Sequence, residues 1–206
     1  MALSTYAELK ASVADWLNRS DLTSAITDFV SLAEAQMERT LRTTQMITRA
    51  TATISAEYNA TPSDFLEART FKMDTNPVTP LQFETIDSLD DLLTVYTSSG
   101  KPKFFGVVGS QIRVVPIPDS SYTGELIYYS KLSKLSDSNT TNWLLTKAPD
   151  VYLYGSLLQA APYLQDDARI QVWAGLYKNG IEELQIADER GATSAGVLKS
   201  RARSFG

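Results

Sequence analysis

The side chains best placed to do chemistry in this chain are three neighbouring carboxylate pairs, Asp90-Asp91, Asp166-Asp167 and Glu182-Glu183. Two carboxylates can cleave a glycosidic bond, one as general acid and the other as base or nucleophile. Little else in the catalytic repertoire accompanies them. Histidine is absent, which removes the usual general base near neutral pH and the commonest metal ligand. Cysteine is absent as well, so there is no disulfide, thiolate nucleophile or Cys-ligated zinc. Ser-His-Asp and Cys-His machinery cannot form within one chain. Carboxylate and lysine chemistry stay open, but the pairs have simpler roles. Asp166-Asp167 precede a predicted helix, where capping and the helix dipole favour acids. Glu182-Glu183 fall on the polar face of that helix. Solvated or capping carboxylates are far commoner than catalytic ones, so the chain is expected not to be an enzyme and to carry no cofactor or metal.

Two other groups of residues suit binding. Tyr128, Tyr129, Tyr152 and Tyr154 could stack on a ligand, but such aromatics more often fill a core or an interface. Tyr154 is assigned to the core. Tyr128 and Tyr129 stay open between sheet core and contact with another subunit. The second group lies at the C-terminus. Net charge is −5, yet Gly191 to Gly206 holds Lys199, Arg201 and Arg203 and no acid, which leaves −8 on the rest. An acidic body with a basic tail suggests a separate partner for the tail. Three charges would hold phosphates only weakly. A protein groove is the preferred partner, with Leu198 and Phe205 as apolar anchors.

The elements that must position these residues run helices, strands, helices. That segregated order implies an α+β fold: a helical bundle built from both chain ends with an inserted antiparallel β region. The bundle takes residues 1–46 and 133–190. The β region, with one short helix, takes 47–132, and a flexible tail takes 191–206. The first helix opens on a capping box, Thr5 with Glu8, and its apolar positions are Leu9, Val13, Trp16 and Leu17. A second helix from about Leu22 to Arg42 carries the stripe Ile26, Phe29, Val30, Ala33, Met37 and Leu41. Thr48 to Ser55 and Phe65 to Met73 read as strands, with a short strand near Leu81 to Phe83 and a short helix within Glu84 to Tyr96. Phe104 to Val108 and Gln111 to Val115 flank Gly109-Ser110, the pattern of a hairpin with a type II′ turn. Gly124 to Ser130 returns as a strand with apolar or aromatic residues on both faces.

Helical spacing resumes after the polar loop 133–141. Thr146 is the expected cap of a helix with Pro149 in its first turn and the stripe Val151, Tyr154, Leu157, Leu158 and Ala161. Asp166 or Asp167 would cap the last helix, with the stripe Ile170, Trp173, Leu176, Tyr177, Ile181 and Leu184 and Gly191 as its C′ residue. No apolar run approaches the roughly 20 residues of a bilayer span, and no signal-peptide pattern is evident.

An ordered series of segments resembles one family. It begins with Tyr6-Ala-Glu-Leu-Lys and Ala14-Asp-Trp-Leu-Asn-Arg-Ser-Asp-Leu, then Ile26 to Arg42 with Leu32-Ala-Glu-Ala, then Phe65-Leu-Glu-Ala-Arg. Gly100-Lys-Pro-Lys-Phe-Phe and Ile112-Arg-Val-Val-Pro-Ile-Pro-Asp follow. Leu126-Ile-Tyr-Tyr-Ser-Lys-Leu leads into Asn142-Trp-Leu-Leu and Pro149-Asp-Val-Tyr-Leu-Tyr-Gly. Over about residues 3 to 190 the series resembles the head-to-tail adaptor (connector, or head-completion) proteins of tailed bacteriophages. The resemblance implies a structural virion protein that self-associates as a ring, normally of twelve copies. The ring would dock under the portal protein, extend the DNA channel and offer a platform to the downstream neck or tail protein. Genome DNA would pass through the lumen without specific binding, and no membrane is involved. The tail residues Leu198, Lys199, Arg201, Arg203 and Phe205 would pack against the portal. Tyr128 and Tyr129 would be subunit or tail-side contacts. The location would be the virion neck, and the host cytoplasm during assembly. Three alternatives stand beside this reading: a lower neck (stopper) or tail-tube ring of six copies, a virion-borne, carboxylate-dependent cell-wall hydrolase, and a bacterial protein unrelated to phage with the β region as a binding module.

Overall fold

A computed structural model describes residues 3–164 and 168–193, without the side chains of 192 and 193. In chain order the helices are α1 (Tyr6–Leu17), α2 (Thr23–Thr40), α3 (Ile86–Val95), α4 (Trp143–Lys147), α5 (Pro149–Gln159) and α6 (Arg169–Thr193). The strands are β1 (Ile47–Ile54), β2 (Tyr58–Ala60), β3 (Phe65–Met73), β4 (Thr79–Pro80), β5 (Gln82–Phe83), β6 (Phe104–Val108), β7 (Gln111–Val115) and β8 (Tyr122–Ser130). Helices from both ends of the chain flank a largely antiparallel β region, as an α+β fold requires. The chain divides into two compact units. One holds the residues up to Gln45 and from Leu132 onward, and the other runs Met46–Lys131.

In the helical unit, α1 starts with the expected capping box. Thr5 Oγ1 accepts from the Glu8 amide at 3.3 Å, and Glu8 Oε2 accepts from the Thr5 amide at 3.0 Å. Both donors are groups that a helix start otherwise leaves unpaired. The helix ends on Asn18 in the left-handed region, φ 54°. The face it buries is Tyr6, Leu9, Ser12, Val13 and Leu17. Trp16, expected within that stripe, is 44% exposed and meets the Tyr154 ring edge-on at 5.8 Å. The whole α2 stripe from Ile26 to Leu41 is buried, and Glu34 with it.

The centre of the unit is α5. Val151, Tyr152 and Leu157 have no exposed surface, and Leu153, Gly155 and Ser156 are also buried. A helix buried round most of its circumference is enclosed by its neighbours, here α1, α2, α4 and α6. The single stripe expected for it therefore understates its burial, and Tyr152, not the half-buried Tyr154, is its fully buried tyrosine. Close approach depends on Gly155, where a Cβ would lie 2.8 Å from Met37 Cε and 3.0 Å from Tyr177 Cε2.

Two expected caps are corrected. Thr146 lies inside α4, whose cap is Asn142, with Oδ1 accepting from the Leu145 amide at 2.9 Å. Gly191 lies inside α6, which continues to Thr193, because an exposed glycine can be carried within a helix at a cost of about 1 kcal/mol. The expected cap at Asp166 or Asp167 lies outside the described residues.

The other unit is two four-stranded sheets, in the orders β1-β8-β3-β4 and β2-β7-β6-β5. The inward-pointing residues Ile54, Phe71, Met73, Leu126 and Tyr128 of the first meet Phe105, Ile112 and Val114 of the second in one apolar cluster. The β6–β7 hairpin turns at Gly109, φ 58°, which glycine adopts without steric cost. Ser110 has no positive φ, as a type II′ turn requires. Three features escape the strand pattern. The three-residue β2 and the two-residue β4 had no counterpart among the expected strands, and β5 pairs with β6 in parallel through only two residues.

Candidate assembly surfaces

Asp90 Oδ1 accepts from Arg113 Nη1 at 2.6 Å, while Asp91 is exposed on α3. Glu182 lies 3.8 Å from Lys178 one helical turn back, with both side chains more than half exposed, and Glu183 is exposed beside it. Asp166-Asp167 lie outside the described residues. Two cavities occur within the β unit. One of about 250 Å³ is lined by Ala50, Ile54, Ala60, Phe71 and Leu126 among others, with no ionisable group. Another of about 440 Å³ has the single carboxylate Glu67. Among the described residues, no group of three His, Cys, Asp or Glu could hold a metal ion. None of these helices is long and apolar enough to cross a membrane.

The two tyrosines of β8 part company. Tyr128 is 3% exposed and belongs to the core cluster, with its ring 5.7 Å from Phe65. Its hydroxyl donates to Asp64 Oδ1 at 2.8 Å. Burial, with the Asp64 charge, pushes that hydroxyl up to about 12. As a contact candidate Tyr128 is therefore corrected to a core residue: the strand's alternation turns it inward. Tyr129 points to the opposite face, is half-buried, and carries the Arg69 guanidinium 5.5 Å above its ring. Elsewhere on the same sheet runs a cross-strand charge ladder. Glu125 pairs with Arg49 of β1 at 2.8 Å and with Lys72 of β3 at 2.7 Å. Hydrogen bonds from Lys72, then from Arg49, hold Glu125 below the usual carboxylate range against desolvation.

The sequence reading did not single out Arg113. Its side chain is 8% exposed, with Nε on Glu57 Oε1 at 2.7 Å and Nη1 on Asp90 Oδ1 at 2.6 Å. It also lies 5.4 Å from the Tyr58 ring centroid. One guanidinium thus ties β7 to α3 and to the turn before β2. The available signal was a lone Arg in an otherwise apolar strand, Ile112-Arg-Val-Val. Burial works against its charge, and the Asp90 and Glu57 hydrogen bonds outweigh that, so it stays charged. The expected tail contacts Leu198, Lys199, Arg201, Arg203 and Phe205 lie outside the described residues. Apolar side chains that project to solvent include Val95 (72%), Val172 (61%) and Phe83 (59%).

The SU10 adaptor protein family matches residues 4–199. The chain belongs to that family. No curated protein matches it. As an SU10 adaptor family member it is a bacteriophage head-to-tail adaptor, a structural protein and not an enzyme. Its general role is to join head and tail, which places it at the virion's head-tail connection.

Proposed function

We propose that copies of this chain form a ring that docks under the portal, extends the DNA channel and presents a platform for the next neck or tail protein. The family match over residues 4–199 carries the reading. A ring needs a heterologous interface whose rotation closes, and twelve copies are expected. The tail residues Leu198, Lys199, Arg201, Arg203 and Phe205 are proposed to enter a groove of the portal protein, the charge contrast with the acidic body supporting this. Tyr129, with Arg69 above it, is the proposed contact of the β unit with a neighbouring subunit or the tail-side protein. A body carrying −8 outside the last 16 residues would repel phosphates and let the genome pass without binding. Assembly would take place in the host cytoplasm and end in the virion neck.

The test is cryo-electron microscopy of particles recovered from infected cells with a tagged copy of the chain. A twelve-fold ring against the portal, with the segment after Thr193 ordered on it, is the expected result. A six-fold ring lower in the neck would overturn the portal-docking reading in favour of a stopper or tail-tube component. Truncation after Arg190 is expected to weaken portal binding, and unchanged affinity would remove the tail from the interface.

A further inference from the structure

After β8 the chain returns to the helical unit as an extended segment without helix or strand, Leu132 to Thr141. Such a segment has no ladder to satisfy its backbone N–H groups, and each must find a partner elsewhere. Two of them find carboxylates on α2. The Leu135 amide donates to Glu34 Oε1 at 2.8 Å, and the Leu132 amide donates to Glu38 Oε1 at 3.2 Å. Glu34 and Glu38 are one helical turn apart, so they face the same way, and the amides they hold are three residues apart on the returning chain.

Glu34 is the inner of the two. It is 2% exposed. From α5 the Tyr152 hydroxyl donates to the same Oε1 at 3.0 Å and itself accepts from Asn142 Nδ2 at 2.6 Å. Asn142 also donates to the Ser133 carbonyl at 2.7 Å, so the network grips the segment at Leu135 and at Ser133. Both donors reach Oε1. Among the described residues none donates to Oε2, and none forms an ion pair with Glu34. A buried carboxylate without a counter-charge is costly to ionise, and such a group is driven toward its neutral, protonated form. The charged and titratable groups around it are Tyr152 from α5, Lys134 from the returning segment and Glu38 on α2 itself.

We propose that Glu34 is a proton-gated clasp: protonated, it holds the returning segment against α2, and ionised, it lets Leu132 to Ser136 detach. Burial pushes its carboxyl above the usual carboxylate range. The Leu135 amide, the Tyr152 hydroxyl and the Lys134 charge pull the other way without overcoming burial. The closed form therefore binds the proton more tightly than the open form. Its advantage is complete below the ordinary value of 4.5 and is lost as pH rises through the raised one. The clasp loosens with increasing pH.

The bond to watch is Lys134–Leu135, beside the clasped amide and with Lys134 itself exposed. Cleavage there by trypsin needs the segment to detach. Full-length wild type and Glu34→Gln are digested side by side from mildly acidic to mildly alkaline pH, and the rate at this bond is read as the ratio of the two, which cancels the protease's own pH dependence. Glutamine keeps the acceptor at Oε1 and cannot ionise. The ratio is expected to rise with pH, by up to about tenfold per pH unit once Glu34 titrates. A ratio flat or falling with pH would overturn the clasp. Should Glu34→Gln not fold, infrared spectroscopy of the wild type decides: a protonated carboxyl band that disappears as the Lys134–Leu135 bond becomes cleavable supports the proposal, and no such band overturns it.

Discussion

Arg113 in the β unit and Glu34 in the helical unit are both nearly sealed from water, at 6% and 2% exposure, and they are neutralised in opposite ways. Arg113 brings two counter-charges with it, Glu57 and Asp90, whose own side chains stay 25% and 60% exposed. Glu34 brings none; its partners are an amide and a hydroxyl. A guanidinium cannot shed its proton within a protein's working range, so burying it obliges the fold to supply anions. A carboxyl can be buried by keeping its proton instead. The β unit is thus locked by a permanent ion triad, and the helical unit by a bond that titration can weaken.

The sharpest way to break that comparison is to remove the counter-charges. Glu57→Gln with Asp90→Asn leaves the Arg113 guanidinium buried and unpaired, which costs about 3 kcal/mol or more. Arg113→Met removes the buried charge itself and leaves two acids that can rehydrate, so it is expected to cost clearly less than the double substitution. Urea unfolding followed by far-ultraviolet circular dichroism measures both. All three tryptophans, Trp16, Trp143 and Trp173, lie in the helical unit. Tryptophan fluorescence therefore tells which unit responds, and the loss is expected in the circular dichroism with the fluorescence transition little moved. Equal costs for the two variants would mean that the triad does not hold the β unit.

A smaller effect probes the helical unit through packing rather than charge. Gly155→Ala places a methyl group 2.8 Å from Met37 Cε and 3.0 Å from the Tyr177 ring. Overpacking a tight crossing costs about 1–3 kcal/mol, and the better helix propensity of alanine returns about 1 kcal/mol. A net loss of about 1 kcal/mol is expected, now in the tryptophan signal. Gly175→Ala on α6 meets nothing within 4 Å and should stabilise by up to about 1 kcal/mol. If both variants behave alike, Gly155 is not a packing constraint.

Much of this was legible in the sequence, and the illegible part has a common cause. The six-residue stripe of α2 could be read because one face of that helix is buried and the other is wet, so periodicity survives. The Gly109-Ser110 hairpin could be read because its turn needs a residue tolerant of positive φ. Burial of α5 round most of its circumference blurred its period, so the expected stripe chose Tyr154 over Tyr152. Trp16 fits the period of α1 but sits at the margin of its buried face. Glu34 looked like an ordinary polar position of α2. Its role depends on an amide 101 residues away and a hydroxyl 118 residues away, and no local pattern marks such pairings. Arg113 is the converse: a charge in an apolar strand was visible, while its partners, 56 and 23 residues distant, were not.

The smallest expected effect bears on the titratable side of the comparison. Tyr152→Phe removes one of the two donors to Glu34 Oε1 and leaves Asn142 Nδ2 without its hydroxyl acceptor. Loss of a net hydrogen bond costs about 1 kcal/mol while Glu34 is protonated. The hydroxyl favours the ionised carboxyl, so without it the folded protein holds the proton to still higher pH, and the fall in stability, which starts at the same ordinary value, continues further than in wild type. The two curves therefore diverge toward alkaline pH if the helical unit is closed by a titrating group. Thermal unfolding at a series of pH values, read by tryptophan fluorescence, gives both curves. A constant offset at every pH would make Tyr152 a plain hydrogen-bond donor, and the contrast with Arg113 would reduce to one of partner number.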